Sequence, residues 1–296
     1  LYRGSLLTCK CLCKHQPSVV HFHLSNVNRT FWERDKKSGY GGEVEQISKK
    51  KLILDGLKEL RQEIALWKEE VKERLESDPV LVFRPGEVDV AFAFKNKKDL
   101  DKWIVTTDSD HNEGRSKAAL EISSSGCGIF HGYVDSQVPK DGKIKRSGYA
   151  NIKTLRARKS FKRETTYDWR QYNTLVLKVR GDGRSYLLNL HTEGYFDIMW
   201  NDIYHYVLYT RGGPHWQYTK IPFSKFFLSS KGRVQDRQGP IPLDRVTNIG
   251  FSVAARGGHE GNFSLEIDYI GLEFDPNHRE EFAYEMYKHQ KYIVAT

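Results

Sequence analysis

The side chains whose types and spacing could carry out chemistry lie between His191 and His205. Three carboxylates accompany the two histidines in this stretch: Glu193, Asp197 and Asp202. A histidine beside a carboxylate can transfer protons as a general acid or base, and the same groups can bind a metal ion. The chain lacks the motifs of an activated serine, a zinc helix or a phosphate loop, and the segment also fits a polar loop. We therefore predict no enzyme activity, no catalytic residue, no metal ligand and no cofactor.

The four cysteines follow neither a metal-binding nor a disulfide pattern. Cys9, Cys11 and Cys13 alternate near the N-terminus, and Cys127 lies far along the chain. Zinc sites usually use pairs of cysteines with two residues between them, and alternating cysteines depart from that spacing. Small secreted domains that depend on disulfides are much richer in cysteine. The cysteine usage therefore favours a reducing compartment.

Positive charge is concentrated in one segment, residues 140–164. Ten Lys or Arg residues and two acids give it +8 of the formal net charge of +9. Such a segment is either a solvated loop or a binding site for an anionic partner. An anionic membrane surface or an acidic protein patch fits, whereas no RNA-binding signature is present and nucleic acid is not expected. The candidate residues are Lys145, Arg146, Arg156, Arg158, Lys159, Lys162 and Arg163.

An amphipathic helix is predicted over residues 52–77. Its apolar residues recur every three or four positions and form one stripe along about 39 Å of helix. The stripe consists of Ile53, Leu57, Leu60, Ile64, Trp67, Val71 and Leu75. Asp78 and Pro79 end the helix, because proline disfavours helical geometry in the residue before it. The stripe either packs on the rest of the chain or docks on a partner protein.

Strand-length stretches separated by Gly, Asp and Pro turns fill residues 78–276. Residues 174–180 and 185–191, for example, flank the turn Gly181-Asp-Gly183 and read as a hairpin. The sequence thus predicts a mainly β fold, an antiparallel sandwich preceded by a helix, with a basic insertion at 140–164 and a tail at 277–296. No run of about 18 apolar residues occurs, so no membrane-spanning segment is expected.

Residues 1–51 are predicted to be a leader and a polar linker. The stretch from Leu1 to Thr30 contains Arg, Lys, Ser and Thr but no Asp or Glu. This composition is typical of mitochondrial targeting segments, and the apolar core of a secretory signal is missing. We therefore expect a mitochondrial location.

Three motifs carry a resemblance to a known family. They are Gly181-Asp-Gly183 after an apolar strand, Trp216 followed by Ile221–Phe226, and the long pattern Phe251–Leu272. With them the sequence resembles the complex I intermediate-associated protein family over roughly residues 88–274. The shared domain of that family is similar to the galactose-binding-like jelly roll of carbohydrate-binding modules.

This resemblance implies a non-enzymatic assembly factor, or chaperone, for respiratory complex I. It implies work in the mitochondrial matrix, peripheral to the inner membrane, on intermediates of the membrane arm. The implied companions are an acyl-CoA dehydrogenase-like assembly factor and a Toll-pathway signalling intermediate protein. The basic segment would then meet anionic lipid of the inner membrane.

The alternative function is that of a carbohydrate-binding module. Aromatic side chains stack on the apolar faces of sugars, although they can equally fill a protein core. The candidates are Tyr186, Tyr195, Trp200, Tyr204, Tyr206 and Trp216. Fold alone does not decide between the two functions.

Overall fold

The computed structural model describes residues 49–76, 85–111, 113–140, 147–193, 202–230, 232–255 and 259–284. The helices are α1 (Lys49–Glu76) and α2 (Lys97–Leu100). The strands are β1 (Val88–Ala93), β2 (Trp103–Thr107), β3 (Lys117–Ile122), β4 (Gly128–Val134), β5 (Tyr149–Thr154), β6 (Thr174–Gly181), β7 (Ser185–Thr192), β8 (Asp202–Tyr209), β9 (Gln217–Pro222), β10 (Phe227–Ser230), β11 (Arg233–Val234), β12 (Val246–Ala254) and β13 (Gly261–Glu273). Residues 1–48 of the predicted leader and 285–296 of the predicted tail lie outside the described residues.

The strands form two antiparallel sheets. The first has the order β3-β4-β13-β6-β9, with β1 paired to β13 beside this path. The second has the order β11-β10-β8-β7-β12-β5-β2. Apolar side chains from both sheets make one continuous core. The prediction of a mainly β antiparallel sandwich with an N-terminal helix is confirmed.

Strand β13 organises the first sheet. One of its edges pairs with β4 and then with β1, and the other edge pairs with β6. Phe263, Leu265 and Ile267 are buried in the core, and an irregularity between Ile267 and Tyr269 then shifts the alternation. Because such a bulge inserts one residue, Ile270 also belongs to the core cluster.

The predicted hairpin around Gly181-Asp-Gly183 is wrong. Strand β6 lies between β13 and β9 in the first sheet, whereas β7 lies between β12 and β8 in the second. The turn therefore carries the chain from one sheet to the other. Gly183 adopts a φ of +92°, which favours glycine in a corner just as in a hairpin. Turn residues therefore do not tell which partner the next strand takes.

The expected basic insertion at 140–164 contains a strand, so the term insertion is wrong for residues 149–154. Strand β5 lies between β12 and β2 inside the second sheet. Ala150, Ile152 and Thr154 are buried, and Asn151 and Lys153 alternate with them on the other face. This period of two is the pattern of a half-buried strand. The Lys and Arg residues before and after β5 dominate the composition of residues 140–164, so the strand pattern is hard to recognise in the sequence.

A buried carboxylate joins the loops at one end of the sandwich. Asp108 is completely buried and accepts hydrogen bonds from the backbone N–H of Ser116 at 2.9 Å and of Gly148 at 2.7 Å. The Ser116 hydroxyl donates a third bond at 3.0 Å. Gly148 has a φ of +89°, and a Cβ there would lie 2.7 Å from the Asp135 carbonyl oxygen. Only glycine therefore fits this junction without rearrangement.

Candidate interaction surface

Helix α1 is fastened to the sandwich by one acidic edge. Glu63 and Glu70 are seven residues apart and thus lie on one line along the helix, two turns from each other. The Glu63 carboxylate accepts a hydrogen bond of 2.6 Å from the backbone N–H of Phe161. The Glu70 carboxylate accepts bonds from the backbone N–H of Ser160 and from the Arg163 guanidinium. A sequence-based reading of the apolar stripe alone missed this contact.

The predicted apolar stripe lies beside that edge and faces outward. Its members are between 37% and 82% exposed: Ile53, Leu57, Leu60, Ile64, Trp67, Val71 and Leu75. At about 100° per residue the centre of the stripe is roughly 90° around the helix from Glu63. Single exposed apolar side chains are ordinary, but a row of seven along one helix is a candidate docking surface.

The basic residues next to the helix are largely engaged in ion pairs. Arg158 Nη1 lies 3.4 Å from Glu63 Oε1, and Arg163 pairs with Glu70. Arg156 bridges Glu164 at 2.7 Å and Glu193 at 2.8 Å. Lys159 is exposed. Lys145, Arg146 and the side chain of Lys162 lie outside the described part of the structure.

The turn that receives the two carboxylates has an unusual backbone. Phe161 has a φ of 56° and a ψ of 36°, and among the described residues no other side-chain-bearing residue has a positive φ. The consecutive N–H groups of Ser160 and Phe161 both donate to carboxylates. The bond from the Ser160 N–H lowers the pKa of Glu70, with further contributions from the Ser160 hydroxyl and Arg163.

A row of polar side chains crosses the outer face of the second sheet. His205 Nδ1 lies 2.7 Å from Asn189 Oδ1, and its Nε2 lies 2.5 Å from the Ser229 hydroxyl. The Asn189 amide donates to Ser252 at 2.6 Å, and the Ser252 hydroxyl donates to Asn151 at 3.0 Å. Since Asn189 donates through its nitrogen, its oxygen accepts from His205, which fixes the Nδ1–H tautomer.

Burial keeps the two histidines of this face neutral. It lowers the pKa of His205 to about 4. Burial, together with the charge of Lys153 and the neighbouring His205, lowers the pKa of His191 to about 4. A general base working near neutral pH needs a pKa near 7. The ring of His205 is also held on both sides by hydrogen bonds, so it serves the packing of the sheet.

The histidine and carboxylate stretch does not assemble into a catalytic group within the described residues. Glu193 is bound to Arg156 at 2.8 Å, and His205 is bound within the polar row. Asp197 lies outside the described residues. No group of three or more His, Cys, Asp or Glu side chains in the described part of the chain could hold a metal ion.

The outer face of the first sheet carries a set of ion pairs that the sequence did not reveal. Lys178 of β6 lies 2.7 Å from Asp268 of the neighbouring strand β13. Lys220 of β9 lies 2.6 Å from Glu273 of β13, across the intervening strand β6. The ring centroid of Trp216 lies 5.4 Å from the Lys178 ammonium and 5.1 Å from the Arg180 guanidinium. The sequences of β6 and β13 do show charged residues at alternate positions, which indicates a polar sheet face. Only the strand order shows which of these charges face each other.

The candidate sugar-stacking aromatics do not form an exposed platform among the described residues. Tyr186 is fully buried and Tyr204 is 8% exposed, so both fill the core. Tyr206 packs against Phe226 with ring centroids 5.6 Å apart. Tyr195 and Trp200 lie outside the described residues.

Within the described residues, no helix is long and apolar enough to cross a membrane.

Comparison with known proteins identifies the family. A family model described as complex I intermediate-associated protein 30 matches residues 92–267, which is more than half of the chain. The chain belongs to the complex I intermediate-associated protein 30 family. The resemblance inferred from the three sequence motifs is therefore confirmed.

Members of this family are similar to the chain over different lengths. A Drosophila melanogaster protein named complex I intermediate-associated protein 30, mitochondrial, is 69% identical over 296 residues, which cover 100% of this chain and 99% of that protein. A Mus musculus protein of the same name is 47% identical over 197 residues, 66% of this chain and 59% of its own length. The similarity to the fly protein thus includes α1 and residues 1–48 before it.

Solved structures show a more distant likeness. A family 11 carbohydrate-binding module of a Clostridium thermocellum cellulase aligns with a TM-score of 0.45 and 14% identity, over 65% of this chain and 98% of that module. A family 30 module of a cellulase from the same organism aligns with a TM-score of 0.36 and 14% identity, over 66% of this chain and 97% of that module. At this level of identity the ligands of those modules are not carried over to the chain.

Proposed function

We propose that the protein is a non-enzymatic assembly factor for mitochondrial respiratory complex I. Family membership supports this role, since the relatives with 69% and 47% identity are both named complex I intermediate-associated protein 30, mitochondrial. The observation that carries the mechanism is the exposed apolar stripe of α1, a helix that Glu63 and Glu70 hold against the sandwich. A scaffold of this kind binds partly built subunits and leaves once the assembly is complete.

The stripe is the proposed docking surface for the partners. An amphipathic helix binds a groove or another helix through residues that recur every three to four positions, which is the spacing from Ile53 to Leu75. The proposed partners are intermediates of the membrane arm. The proposed companions are an acyl-CoA dehydrogenase-like assembly factor and a Toll-pathway signalling intermediate protein.

The proposed location is the mitochondrial matrix, peripheral to the inner membrane. The acid-free stretch Leu1–Thr30 supports import, and the positive charge of residues 140–164 suits an anionic membrane surface. Because Arg156, Arg158 and Arg163 are ion-paired, the proposed lipid contact rests mainly on Lys145, Arg146, Lys159 and Lys162. Well-placed cations near such a surface contribute about 1 kcal/mol each, and salt weakens them.

Removing the protein from mitochondria tests the assembly role. We expect less mature complex I, accumulated subassemblies, and co-migration of the restored protein with high-mass intermediates on native gels. Normal complex I levels in mitochondria that lack the protein would contradict the proposed function. Measuring respiratory complexes III and IV in the same samples separates a specific assembly defect from general mitochondrial failure.

A further inference from the structure

The turn from Arg158 to Arg163 binds two carboxylate groups through its backbone and one arginine. The backbone N–H groups of Ser160 and Phe161 are consecutive, and the left-handed conformation of Phe161 lets both donate to oxyanions on one side of the turn. Consecutive N–H groups arranged in this way form an anion-binding concavity. A left-handed conformation is costly for a bulky aromatic residue, so the surrounding structure must impose it.

The cationic side chain of this turn is already oriented. The Arg163 guanidinium donates to the Ser160 carbonyl oxygen through Nε at 3.1 Å and to the Ser160 hydroxyl through Nη2 at 2.9 Å. Arginine presents several donors in a rigid fork that suits carboxylate and phosphate groups. Arg158 supplies a second positive charge, 39% exposed, beside the same turn.

The turn is closed by its own hydrogen bonds. The Lys159 N–H donates to the Arg163 carbonyl oxygen at 2.8 Å, and Arg158 forms an antiparallel bridge with Glu164. The Thr165 N–H also donates to the Ala157 carbonyl oxygen at 3.0 Å. These bonds lie within the loop and do not involve α1. The loop therefore has backbone hydrogen bonds of its own on both sides of Phe161.

The present occupants are replaceable. Glu63 and Glu70 reach the turn from a helix whose apolar stripe remains exposed, so little apolar burial holds α1 in place. The arginine partners of these carboxylates are 39% and 50% exposed, so water screens the two ion pairs. One oxygen of the buried Glu63 carboxylate, Oε1, accepts no hydrogen bond from any described residue and meets only the Arg158 charge at 3.4 Å.

We propose that the turn Arg158–Arg163 is a phosphate-binding site that α1 closes with the carboxylates of Glu63 and Glu70. When the helix leaves, a phosphate group accepts bonds from the Ser160 and Phe161 N–H groups and from Arg163, and Arg158 balances its charge. Phosphate offers at least three strong acceptor oxygens, more than either carboxylate. The site depends on the geometry of this loop and stands whether or not the protein assembles complex I.

Titration of the full chain with inorganic phosphate, followed by the amide NMR signals of Ser160 and Phe161, tests the proposal. The variant Glu63→Gln/Glu70→Gln replaces the two carboxylates with uncharged amides and so weakens the state in which α1 covers the turn. Its Ser160 and Phe161 signals should therefore respond at a roughly tenfold lower phosphate concentration than those of the wild-type protein. The matched control is Glu69→Gln/Glu76→Gln, with the same charge change and spacing at exposed positions. It should respond like the wild type. An equal response in all three proteins, or none in any of them, contradicts the proposal.

Arginine variants show whether the response belongs to this turn. In the Glu63→Gln/Glu70→Gln background, Arg163→Gln should abolish the response, and Arg163→Lys should leave a weaker one, because lysine keeps the charge but loses the fork. Unchanged amide signals from β7 and β13 verify that each variant is folded. A response that survives Arg163→Gln in a folded protein overturns the assignment.

A flotation experiment identifies the source of the phosphate. The Glu63→Gln/Glu70→Gln protein is mixed with phosphatidylcholine vesicles that contain or lack phosphatidic acid, with and without added inorganic phosphate. Flotation that needs phosphatidic acid and is reversed by inorganic phosphate supports a lipid headgroup. A response to inorganic phosphate without flotation supports a soluble phosphate compound. Both results support the site, whereas flotation that Arg163→Gln leaves unchanged contradicts a role for this turn.

Discussion

The Glu63 carboxylate accepts a 2.6 Å hydrogen bond from the backbone N–H of Phe161, 98 residues further along the chain. The Glu70 carboxylate likewise accepts a hydrogen bond from the backbone N–H of Ser160. Through these two contacts α1 faces the sandwich with its acidic edge and leaves its apolar stripe exposed. A helix packed for stability alone would bury the stripe instead. The orientation of α1 thus links the fold to the proposed docking of partners.

Replacing both acids of this edge is predicted to release α1 from the sandwich. In Glu63→Ala/Glu70→Ala the Ser160 and Phe161 N–H groups and the two arginines lose their partners, so amide hydrogen exchange in α1 should become much faster. Exchange in β7 and β13 should stay slow, because neither strand depends on the helix. Equal protection of α1 in the variant and in the wild-type protein would show that other contacts hold the helix.

The same contact is predicted to weaken in acid. The pKa of Glu70 is lowered in the folded protein, so the ionised carboxylate stabilises the contact fully above its ordinary pKa of 4.5. This stabilisation is lost as the pH falls through the lowered pKa. Hydrogen exchange of α1, taken relative to the intrinsic rate at each pH, should therefore accelerate below about pH 4.5. In Glu70→Gln that acceleration should be reduced. Identical pH profiles for the two proteins count against this role of Glu70.

Loss of the Asp108 carboxylate is predicted to destabilise the sandwich strongly. Asp108→Ala removes three hydrogen bonds and leaves the buried donors of Ser116 and Gly148 without an acceptor. Each such donor costs about 1–3 kcal/mol, and we expect a total loss of about 2–4 kcal/mol in the free energy of unfolding. Denaturant unfolding measures it, with Asp110→Ala, a neighbouring acid, as the comparison. A loss below about 1 kcal/mol would contradict the assigned role.

The neutral histidines of the second sheet predict a further pH dependence of stability. The pKa of His205 is lowered from 6.5 to about 4, so the unfolded chain binds more protons than the folded chain between these values. The free energy of unfolding should therefore fall as the pH drops from 6.5 towards 4, by about 2–3 kcal/mol for this residue. His205→Gln should flatten that part of the curve. An unchanged slope in the variant would contradict the burial-induced shift.

The sequence was sufficient for the fold class and the family, but not for the placement of several elements. Alternation of apolar residues indicates a strand, and strand β13 carries it clearly. Which sheet a strand joins depends on contacts distant in sequence, so the corner at Gly183 looked like a hairpin and β5 looked like a loop. Sequence patterns describe the environment of a residue more directly than its partner.

The helix illustrates the same limit at the candidate surface. The periodicity of α1 identified the stripe from Ile53 to Leu75. In the structure, however, α1 contacts the sandwich through Glu63 and Glu70, which look like ordinary polar-face residues in the sequence. The receiving turn gave no signal either, since a left-handed Phe161 contradicts local preference. Features set by tertiary contacts against local preference escape a sequence-based prediction.

The exposed stripe of α1 is the proposed binding site for complex I assembly intermediates. The decisive measurement is the distribution of the protein on native gels of mitochondria. One sample expresses only the stripe variant, Leu60→Gln/Ile64→Gln/Trp67→Gln. The other expresses only the control variant, Leu54→Gln/Ala65→Gln, whose changes lie at exposed positions outside the stripe. We expect the stripe variant to leave the high-mass fractions and the amount of complex I to fall, although the purified variant melts like the wild-type protein. The control should behave like the wild type. Co-migration of the stripe variant with the intermediates at wild-type levels would contradict docking through the stripe.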